Sequence, residues 1–583
     1  MKTVVGGEIV AEMLAAEGVD TVFGIIDGTY LGFFGAFDKY GIKLITPRHE
    51  TTAAHMAGAY ARLTGKLGVC MASNGPGVAN ILPGVAVENG EGNRVLLITS
   101  SRRQGITYPD RGGAYQYFDQ VAVTRPMTKW SGTVPNFDRI PEFMRRAFRL
   151  SFAGRPGVVH VDISESLFNG TFEIAENYLT PPATYRRTAP MVAPLSQVEE
   201  AAAMLRHAER PLIHAGSGIL HAGAYNELRD LANLAQTPII SSWGARAAAT
   251  DDNPLYMPIY AIDSVKEVRK TADVVLVIGS RLGETDWWGK APYWGKPGEQ
   301  KIIQVDIDEE ILGMNKPADL AILADAKVFL AELTTALKAK PLPEDVGKTR
   351  KTRLADLAEG VEKIRTMRKM MVQMPADPLH SARVPATCRE YFADDAVLVA
   401  DGGNTTVWSN IFHEIRTPNT FLSTHKFGML GAGVGQALGA KVARPDSPVY
   451  CIIGDGAMGF HPQEIETAVR NGLHVTFLVL CDKQWGMVKA TQAAGLNKLR
   501  KVAGLGESDP INADLGEIAF DDLARSMGAH GERVSAPDEL LPALQRCTAT
   551  PQVSVIHVDV DAKKHMFVPG LEEFKKMHQE PQE

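Results

Sequence analysis

Residues 450–486 read YCIIGDGAMGFHPQEIETAVRNGLHVTFLVLCDKQWG, and this stretch decides the fold. An apolar run at 450–453 enters a glycine turn with Asp455, a helical pattern follows, and a second apolar run at 475–480 leads to Asp482. Parallel strands joined through a helix end at the same edge of a sheet, where open α/β sheets bind ligands. Two carboxylates and a backbone carbonyl at such an edge suit Mg²⁺, which keeps phosphate oxygens as its other ligands. We therefore predict a magnesium site beside a bound phosphate group.

The same alternation of short apolar runs and helical patterns continues along the chain, and it predicts parallel sheets covered on both faces. The pattern restarts twice, so we predict three doubly wound α/β domains at residues 1–180, 195–340 and 370–560, with a C-terminal tail or lid at 561–583. Polar stretches at 179–194 and 338–353 are predicted linkers. The predicted strands are 20–24, 67–72, 94–99 and 158–163 in the first domain, 212–215, 238–241, 274–278 and 301–305 in the second, and 397–400, 450–453, 475–480 and 553–558 in the third.

The composition excludes several classes of protein. Lys and Arg number 61 against 68 Asp and Glu, and this net charge of −7 argues against a nucleic-acid partner. The five cysteines are scattered and form no CxxC pair, so neither a disulfide framework nor a zinc site is expected. The chain has no apolar stretch of the roughly 20 residues that a membrane span needs, and its first residues lack the apolar core of a signal peptide. We expect a cytoplasmic protein without a membrane partner.

The first domain carries a second chemical signal. The sequence RHE at 48–50 precedes a helical pattern at 51–63, and the predicted strand at 67–72 leads into NGPG at 74–77. Taken alone, Glu50 is a helix N-terminal acid that the helix dipole favours. A lone GDG turn can likewise be an ordinary turn at the end of a strand. In this chain the two signals occur together, with the glutamate segment and GPG turn in the first domain and the GDG turn in the third.

These segments resemble the thiamine-diphosphate-dependent enzymes, whose metal motif begins with GDG and closes at the next strand end with Asn-Asn. Here Cys481 and Asp482 stand in place of the two asparagines. The resemblance implies that Mg²⁺ is bound by Asp455, Asp482 and the main-chain oxygen of Gln484. It also implies that Glu50 hydrogen-bonds the aminopyrimidine ring and favours the tautomer that removes the thiazolium C2 proton. Further cofactor contacts are implied for Pro76, Asn80, Gly402, Gly403, Asn404, Thr405, Gly428, Leu430, Gly454, Gly456, Ala457, Trp485, Gly486 and Met487, with Leu430 supporting the bent cofactor.

Within that superfamily the chain resembles the branch of acetolactate synthase, 2-hydroxyacyl-CoA lyase and benzaldehyde lyase, on the segment YQYFDQ at 115–120 and TRPMTKW at 124–130. Gln116 matches an active-site glutamine of that branch, and its alternative is a surface amide. The loop IIDGTY at 25–30 departs from the branch, so we expect Asp27, Thr29 and Tyr30 to face the reaction. Asp27 is either a proton donor or acceptor, or the N-cap of the following helix.

The resemblance implies a lyase or carboligase that acts on a 2-oxo acid or a 2-hydroxy-carbonyl compound, either an acyloin or a 2-hydroxyacyl-CoA. It implies a homodimer or homotetramer whose active sites lie at subunit interfaces. The glycine-bearing turns at 216–218 and 279–281 and the acids at 306 and 308 fit either FAD or ADP in the central domain, or plain turns. Two alternatives remain open: a flavin-dependent enzyme of the pyruvate oxidase kind, and a cofactor-binding scaffold without turnover.

Overall fold

The structure is a computed structural model that describes residues 1–107, 112–577, 579 and 581. Three parallel sheets with helices on their faces confirm the predicted α/β class. The first and third sheets have six strands each. In spatial order their strands are Lys43–Ile45, Thr21–Gly24, Gly68–Ala72, Val95–Ser101, Val158–Ser164 and Trp130–Thr133 in the first sheet, and Phe421–Leu422, Val397–Asp401, Val449–Gly454, Val475–Cys481, Ser554–Asp559 and His530–Val534 in the third.

The central sheet has five parallel strands, and a small antiparallel pair joins the N-terminus to the end of the first domain. Strands such as Val274–Ile278 are β-branched and buried along their whole length, because helices cover both faces. The strands of the central sheet are, in spatial order, Ile239–Ser241, Pro211–Ala215, Val274–Ile278, Lys301–Asp306 and Leu320–Leu323, and the pair is Lys2–Val5 with Thr171–Ile174.

Helices fill the connections between the strands, and none of those in the described ranges is long and apolar enough to cross a membrane. The longer ones in the first domain are Gly6–Ala16, Glu50–Thr64, Pro76–Glu91 and Ile140–Phe152. Those of the central domain are Leu195–His207, Tyr225–Ala235, Ile262–Thr271 and Ala326–Ala339. Those of the third domain are Arg383–Tyr391, Gly403–Phe412, Ala432–Ala443, Glu464–Arg470, Gly486–Val502, Phe520–Ser526 and Leu540–Thr548.

The first and third domains pack against each other through one pair of helices, Glu50–Thr64 and Ala432–Ala443. The close approach requires a small residue, since a Cβ at Gly439 would lie 2.7 Å from Met56 Cα. The apolar side chains at this contact belong to a core that runs continuously from the first sheet to the third. The two sheet edges that carry the predicted chemistry are therefore held on one rigid body of packed helices.

The segment predicted as a second linker is not a linker. It enters a helix of 29 residues, Glu344–Val372, whose polar composition hides a buried face. Val361 is buried, and Arg350 donates to the main-chain oxygens of Ala208 at 3.1 Å and Ala235 at 2.5 Å. The prediction failed because a lysine-rich sequence has the composition of a loop. The few apolar and arginine side chains of this helix nevertheless anchor it to the central domain.

The C-terminal segment docks onto the third and central domains as far as the structure describes it. It forms two short helices, Ala562–Met566 and Leu571–Met577, and Val568 and Leu571 are buried. Asp561 caps the first helix by accepting the main-chain N–H groups of the two lysines that follow. The remainder of the predicted tail, residues 578, 580, 582 and 583, lies outside the described residues.

Candidate active site

Asp455 and Asp482 meet at the carboxyl edge of the third sheet, as their positions after neighbouring strands predict. Asp455 follows the strand Val449–Gly454, and its two carboxylate oxygens accept the main-chain N–H groups of Gly456 at 2.7 Å and Lys483 at 2.8 Å. Asp482 is 8% exposed, and its carboxyl lies against that of Asp455. The loop turns sharply between them, with Lys483 in the left-handed region at φ 56°.

The electrostatics of this pair fit a divalent cation. Burial, followed by the neighbouring Asp455 carboxylate, raises the pKa of Asp482 to about 7. Burial also raises the pKa of Asp455. Two carboxyl groups in contact are poorly ionised together unless a positive charge lies between them, and a hard cation with oxygen ligands meets that need. The side-chain amide of Gln484 donates to Asp482 at 3.1 Å and to the Ala562 carbonyl at 2.8 Å, which fixes the third predicted ligand residue beside the pair.

A cradle of helix N-termini lies beside the two acids. Gly402, at φ 97°, precedes the helix Gly403–Phe412, and a Cβ there would lie 3.2 Å from the Gly454 nitrogen. Asn404 is 4% exposed, and neither end of its amide has a hydrogen-bond partner among the described residues. A Cβ at Gly486, the first residue of the helix Gly486–Val502, would lie 2.9 Å from Asn404 Nδ2 and from Asp482 Oδ2. Two long helices thus begin at one point, an arrangement that suits an anionic phosphate.

The remaining residues predicted for the cofactor surround this cradle. Thr405 Oγ1 would lie 3.1 Å from a Cβ at Gly454, and the side chain of Met487 lies against Gly403. The Trp485 ring covers Gly456, where a Cβ would come within 2.7 Å of it. Ala457 is buried beneath the turn, while Leu430 is half-buried and packs on the shared core, two residues after Gly428 at φ 69°.

Glu50 lies at the edge of the first sheet, where it begins the helix Glu50–Thr64. His49 caps that helix by accepting the Thr51 N–H at 3.2 Å. The Glu50 carboxylate accepts from Asn80 Nδ2 at 3.1 Å. Its other oxygen would lie 3.5 Å from a Cβ at Gly77, so the turn that begins the helix Pro76–Glu91 fits against it. The structure therefore brings Glu50, Pro76 and Asn80 together, as the sequence predicts.

The loop after the strand Thr21–Gly24 contains one correct and one wrong prediction. Asp27 is the N-cap of the next short helix, since it accepts the N–H of Thr29 at 2.9 Å and its hydroxyl at 2.7 Å. Thr29 is half-buried and also contacts the hydroxyl of Ser100 at 2.6 Å. Tyr30 was expected to face the reaction, but it is fully buried and its hydroxyl donates to the Ile25 carbonyl. It belongs to the core because its ring packs edge-on against Phe168.

Gln116 reaches the same edge, through its main chain. It adopts φ 54°, and its carbonyl accepts from Asn74 Nδ2 at 3.0 Å. A Cβ at Gly75 would lie 2.7 Å from that carbonyl, so the glycine turn and Gln116 are in direct contact. The Gln116 side chain is exposed. Gln116 therefore lies beside the glycine turn that also fits against Glu50.

Sequence reasoning missed a buried polar network behind this edge. Gln120 donates to Asp162 at 2.5 Å and to the Ser100 carbonyl at 2.6 Å, and Asp162 also accepts from Thr99 at 2.8 Å. Burial raises the pKa of Asp162. The signal was present, because an aspartate inside the apolar run VVHVDI at 158–163 needs buried partners. The network fixes Ser100 and hence the hydroxyl of Thr29.

A separate cavity of about 510 Å³ lies between the central domain and the first and third domains. The two glycine turns of the central domain meet there, since a Cβ at Gly218 would lie 2.5 Å from Gly279 Cα. Arg155 and Arg281 bring positive charge, while burial lowers the pKa of Lys426 on the same wall to about 7. Asp306 ends the strand Lys301–Asp306 beside them. Burial raises the pKa of Asp306 to about 6. The structure thus gathers the three turn segments that the sequence singled out in this domain.

Comparison with known proteins agrees with this geometry. Sequence models of the thiamine pyrophosphate enzymes match the N-terminal TPP binding domain over residues 4–123, the central domain over 198–333 and the C-terminal TPP binding domain over 401–558. The probable acetolactate synthase large subunit of Methanocaldococcus jannaschii is 29% identical over 97% of this chain and 94% of its own length. The acetolactate synthase large subunit of Corynebacterium glutamicum is 29% identical over 93% of this chain and 84% of its own length.

A sulfoacetaldehyde acetyltransferase from Alcaligenes xylosoxydans xylosoxydans is 30% identical over 92% of this chain and 89% of its own length. These relatives do not favour the alternative of a flavin-dependent oxidase or of a scaffold without turnover. The chain belongs to the thiamine pyrophosphate enzymes, and within them it is a thiamine-diphosphate-dependent carboligase of the acetolactate synthase-like branch.

Proposed function

We propose that this enzyme uses Mg²⁺ and thiamine diphosphate to transfer an acyl carbanion equivalent from a 2-oxo acid or 2-hydroxy-carbonyl donor to a second carbonyl compound. The proposal depends on one observation above all: two buried carboxyl groups in contact at the third sheet edge, beside two helix N-termini. Asp455, Asp482 and the main-chain oxygen of Gln484 would hold the metal. The N–H groups that begin the helix Gly403–Phe412 would receive the diphosphate.

When bound, thiamine diphosphate supplies a carbon nucleophile that can add to a carbonyl group. The protein's own contribution at the other end of the cofactor is the carboxylate of Glu50. Asn80 donates to one oxygen of that carboxylate at 3.1 Å, and the other oxygen would hydrogen-bond the ring nitrogen of the pyrimidine and so favour its protonated, imino form. Thr29 and Gln116 then supply neutral hydrogen-bonding groups for substrate oxygens, and Asp27 stands next to them as the acid or base candidate.

A substrate panel tests the activity. The holoenzyme should release CO₂ or an aldehyde from at least one 2-oxo acid, acyloin or 2-hydroxyacyl-CoA, and it should join the remaining fragment to an acceptor. The names of the relatives make acetolactate formation and acetyl transfer from sulfoacetaldehyde the first two reactions to assay. Product formation should require both Mg²⁺ and the cofactor. Bound cofactor with no turnover across the panel would contradict the proposal.

We further propose a homodimer, or a homotetramer built from it, in which Glu50 of one subunit serves the metal site of another. Large apolar side chains flank both sheet edges and are about half exposed: Ile26 at 54% on the first, and Phe460 at 49% and Val488 at 52% on the third. Exposed apolar groups around two incomplete halves of one site favour burial against a second copy.

Mixing two inactive variants tests this arrangement. A mixed dimer contains one Glu50→Gln chain and one Asp455→Ala chain. If each site takes Glu50 from one chain and Asp455 from the other, one of the two sites in that dimer keeps both residues. Equimolar remixing should therefore restore about one quarter of wild-type activity. If each site is built within one chain, the mixture stays inactive at every ratio.

The central cavity supports a second bound group, an adenine nucleotide such as ADP or FAD. Its apposed glycine turns allow a diphosphate to approach the backbone, the guanidinium groups of Arg155 and Arg281 oppose phosphate charge, and Asp306 can accept from a ribose hydroxyl. Heat-released ligand from the purified enzyme should show an adenine or flavin absorption spectrum, or the enzyme should bind ADP or FAD in titration. Failure of both titrations would contradict this part.

We also propose a cytoplasmic location. All five cysteines are unpaired and buried, which supports residence in a reducing compartment. Fractionation of the native cell should place the enzyme with the cytoplasmic markers, and its recovery with an exported fraction would contradict this.

A further inference from the structure

One residue of the metal site carries more charge than the resemblance requires. Asp482 stands where the related motif has asparagine, and it differs from asparagine in charge while keeping its size and one oxygen. It is 8% exposed and lies against a second acid, Asp455. We propose that Asp482 is an anionic ligand that lets this protein bind a divalent cation tightly before thiamine diphosphate arrives. This inference rests on the proposed function, because it concerns the same cation.

The neighbouring basic side chains pair with other acids, so the negative charge of Asp455 and Asp482 can be balanced by a metal ion. Lys483 Nζ lies 2.7 Å from Glu517, and Lys489 Nζ lies 2.5 Å from Asp514. Arg533 pairs with Asp559 at 2.8 Å, and His557 also contacts Asp559 at 3.2 Å. Each of these basic side chains is thus engaged with an acid other than Asp455 or Asp482.

Asn404 provides an independent observation that points to a ligand in the same space. Its amide is 96% buried, and neither its oxygen nor its nitrogen has a partner among the described residues. Both Asn404 Nδ2 and Asp482 Oδ2 would lie 2.9 Å from a Cβ at Gly486, so they face one small region. An unpaired buried amide costs free energy unless a bound group satisfies it. The related motif has an asparagine amide at position 482, and this chain has none there. Asn404 can instead offer its neutral amide to the cation or to a phosphate oxygen.

The two carboxylates change how charge is shared between the cation and the diphosphate. With Asp455 and Asp482 both ionised, the charge of a divalent cation is cancelled by the protein alone, so cation binding does not need the phosphate oxygens. The diphosphate then depends more on the helix N-termini at Gly403 and Gly486 and on Asn404. An asparagine at 482 would leave the cation with one positive charge uncancelled, and cation binding would depend on the cofactor.

Titration of the full-length, cofactor-free protein with Mn²⁺ tests the inference, with free Mn²⁺ followed by electron paramagnetic resonance. Asp482→Asn should bind Mn²⁺ roughly tenfold more weakly than the wild type, because one anionic ligand becomes neutral. Asp522→Asn is the matched control: it removes the same charge from an exposed surface position, and its Mn²⁺ affinity should equal that of the wild type. Equal affinities for Asp482→Asn and the wild type would overturn the inference.

A second titration separates this inference from the function on which it rests. At saturating Mn²⁺, both the wild type and Asp482→Asn should bind thiamine diphosphate, since asparagine keeps a ligand oxygen. If both bind the cofactor but their cation affinities are equal, only the role given to Asp482 is wrong. If neither binds the cofactor while both remain folded by circular dichroism, the proposed function itself is wrong.

Discussion

The first and third sheets share one strand order, yet their functional edges are chemically opposite. Numbered along the chain within each domain, both sheets run 2-1-3-4-6-5. The edge of the first is a hydrogen-bonded surface of hydroxyl and amide groups, in which the carboxylates of Glu50 and Asp27 accept from Asn80 and Thr29. The edge of the third joins two acids and two helix N-termini. In the proposed function, the same framework would bind a ring at one end of the cofactor and a metal diphosphate at the other.

The fourth strand of each sheet shows where this difference arises. It ends near Ser100 in the first sheet, at Asp306 in the central sheet, and just before Asp482 in the third. The strands themselves are all apolar, while the residue that follows or ends each one differs: a serine hydroxyl in the first sheet, the proposed nucleotide contact Asp306 in the central sheet and the proposed cation ligand Asp482 in the third. The residues at the strand ends therefore determine what each sheet edge can bind, and the shared fold alone does not predict it.

Replacing Glu50 should have the largest effect on the reaction. Glu50→Gln keeps the contact with Asn80 but removes the ionisable carboxyl group that favours a proton on the ring nitrogen, so kcat should fall by about 10²–10⁴-fold. Affinity for the cofactor should change little, because the metal and diphosphate contacts lie on the other sheet. Calorimetry and steady-state kinetics on one preparation measure both. Exposed Glu142→Gln is the control, and a Glu50→Gln enzyme with full kcat would break the comparison.

A methyl group on Gly486 should damage the third edge alone. In Gly486→Ala the new carbon would lie 2.9 Å from both Asn404 Nδ2 and Asp482 Oδ2. Overpacking of this kind costs about 1–3 kcal/mol, so affinity for the cofactor should fall by about 10- to 100-fold. Gly495 lies on the same helix in open space, and Gly495→Ala should instead stabilise the fold by about 0.5–1 kcal/mol. Equal cofactor affinities in the two variants would contradict this account.

The C-terminal helix Ala562–Met566 should hold the third edge in place. His565 contacts the Ser381 hydroxyl at 2.7 Å and lies 3.4 Å from that of Thr405, and its carbonyl accepts from Trp408. His565→Ala leaves these buried hydroxyls without a partner at a cost of about 1–3 kcal/mol. Both the melting temperature and the affinity for magnesium and cofactor should fall, whereas exposed Lys563→Ala should change neither. Normal cofactor binding in His565→Ala would contradict the role of His565 in positioning the third sheet edge.

The smallest expected effect lies at the central edge and depends on pH. Because the pKa of Asp306 is raised to about 6 when folded, the folded protein binds more protons than the unfolded chain between about pH 4 and 6. Its contribution to the free energy of unfolding therefore falls as pH rises through that window. Asp306→Asn removes this dependence, so relative to the wild type it should gain about 1–2 kcal/mol between pH 5 and pH 7.5. A gain that is the same at both pH values would contradict the burial of this carboxyl.

The buried strands and the meeting of the two acids could be predicted from the sequence. Apolar runs such as 475–480 locate strands that helices cover on both faces, and an acid after each of two such strands must reach the same edge. Short edge strands escaped prediction, since Phe421–Leu422 has only two residues and His530–Val534 is partly polar. These strands form because they hydrogen-bond to a neighbouring strand, and their own sequences carry no pattern that predicts a strand.

Side-chain direction within loops was the other limit. The sequence placed Tyr30 at the reaction because it follows Thr29, but a turn of short helix rotates it into the core. The orphaned amide of Asn404 facing Asp482 joins residues far apart in the chain, and no local pattern encodes that contact. The partners of Asp162 were not predicted for the same reason, because the network joins residues from three separate segments.

Calorimetric titration of thiamine diphosphate into the cofactor-free protein tests the central claim most directly. The account predicts uptake of one cofactor per chain, only in the presence of a divalent cation, with binding lost in Asp455→Ala and retained in Glu50→Gln. Absence of uptake by the wild type with magnesium present, or uptake that survives the loss of Asp455 in a folded protein, would contradict it.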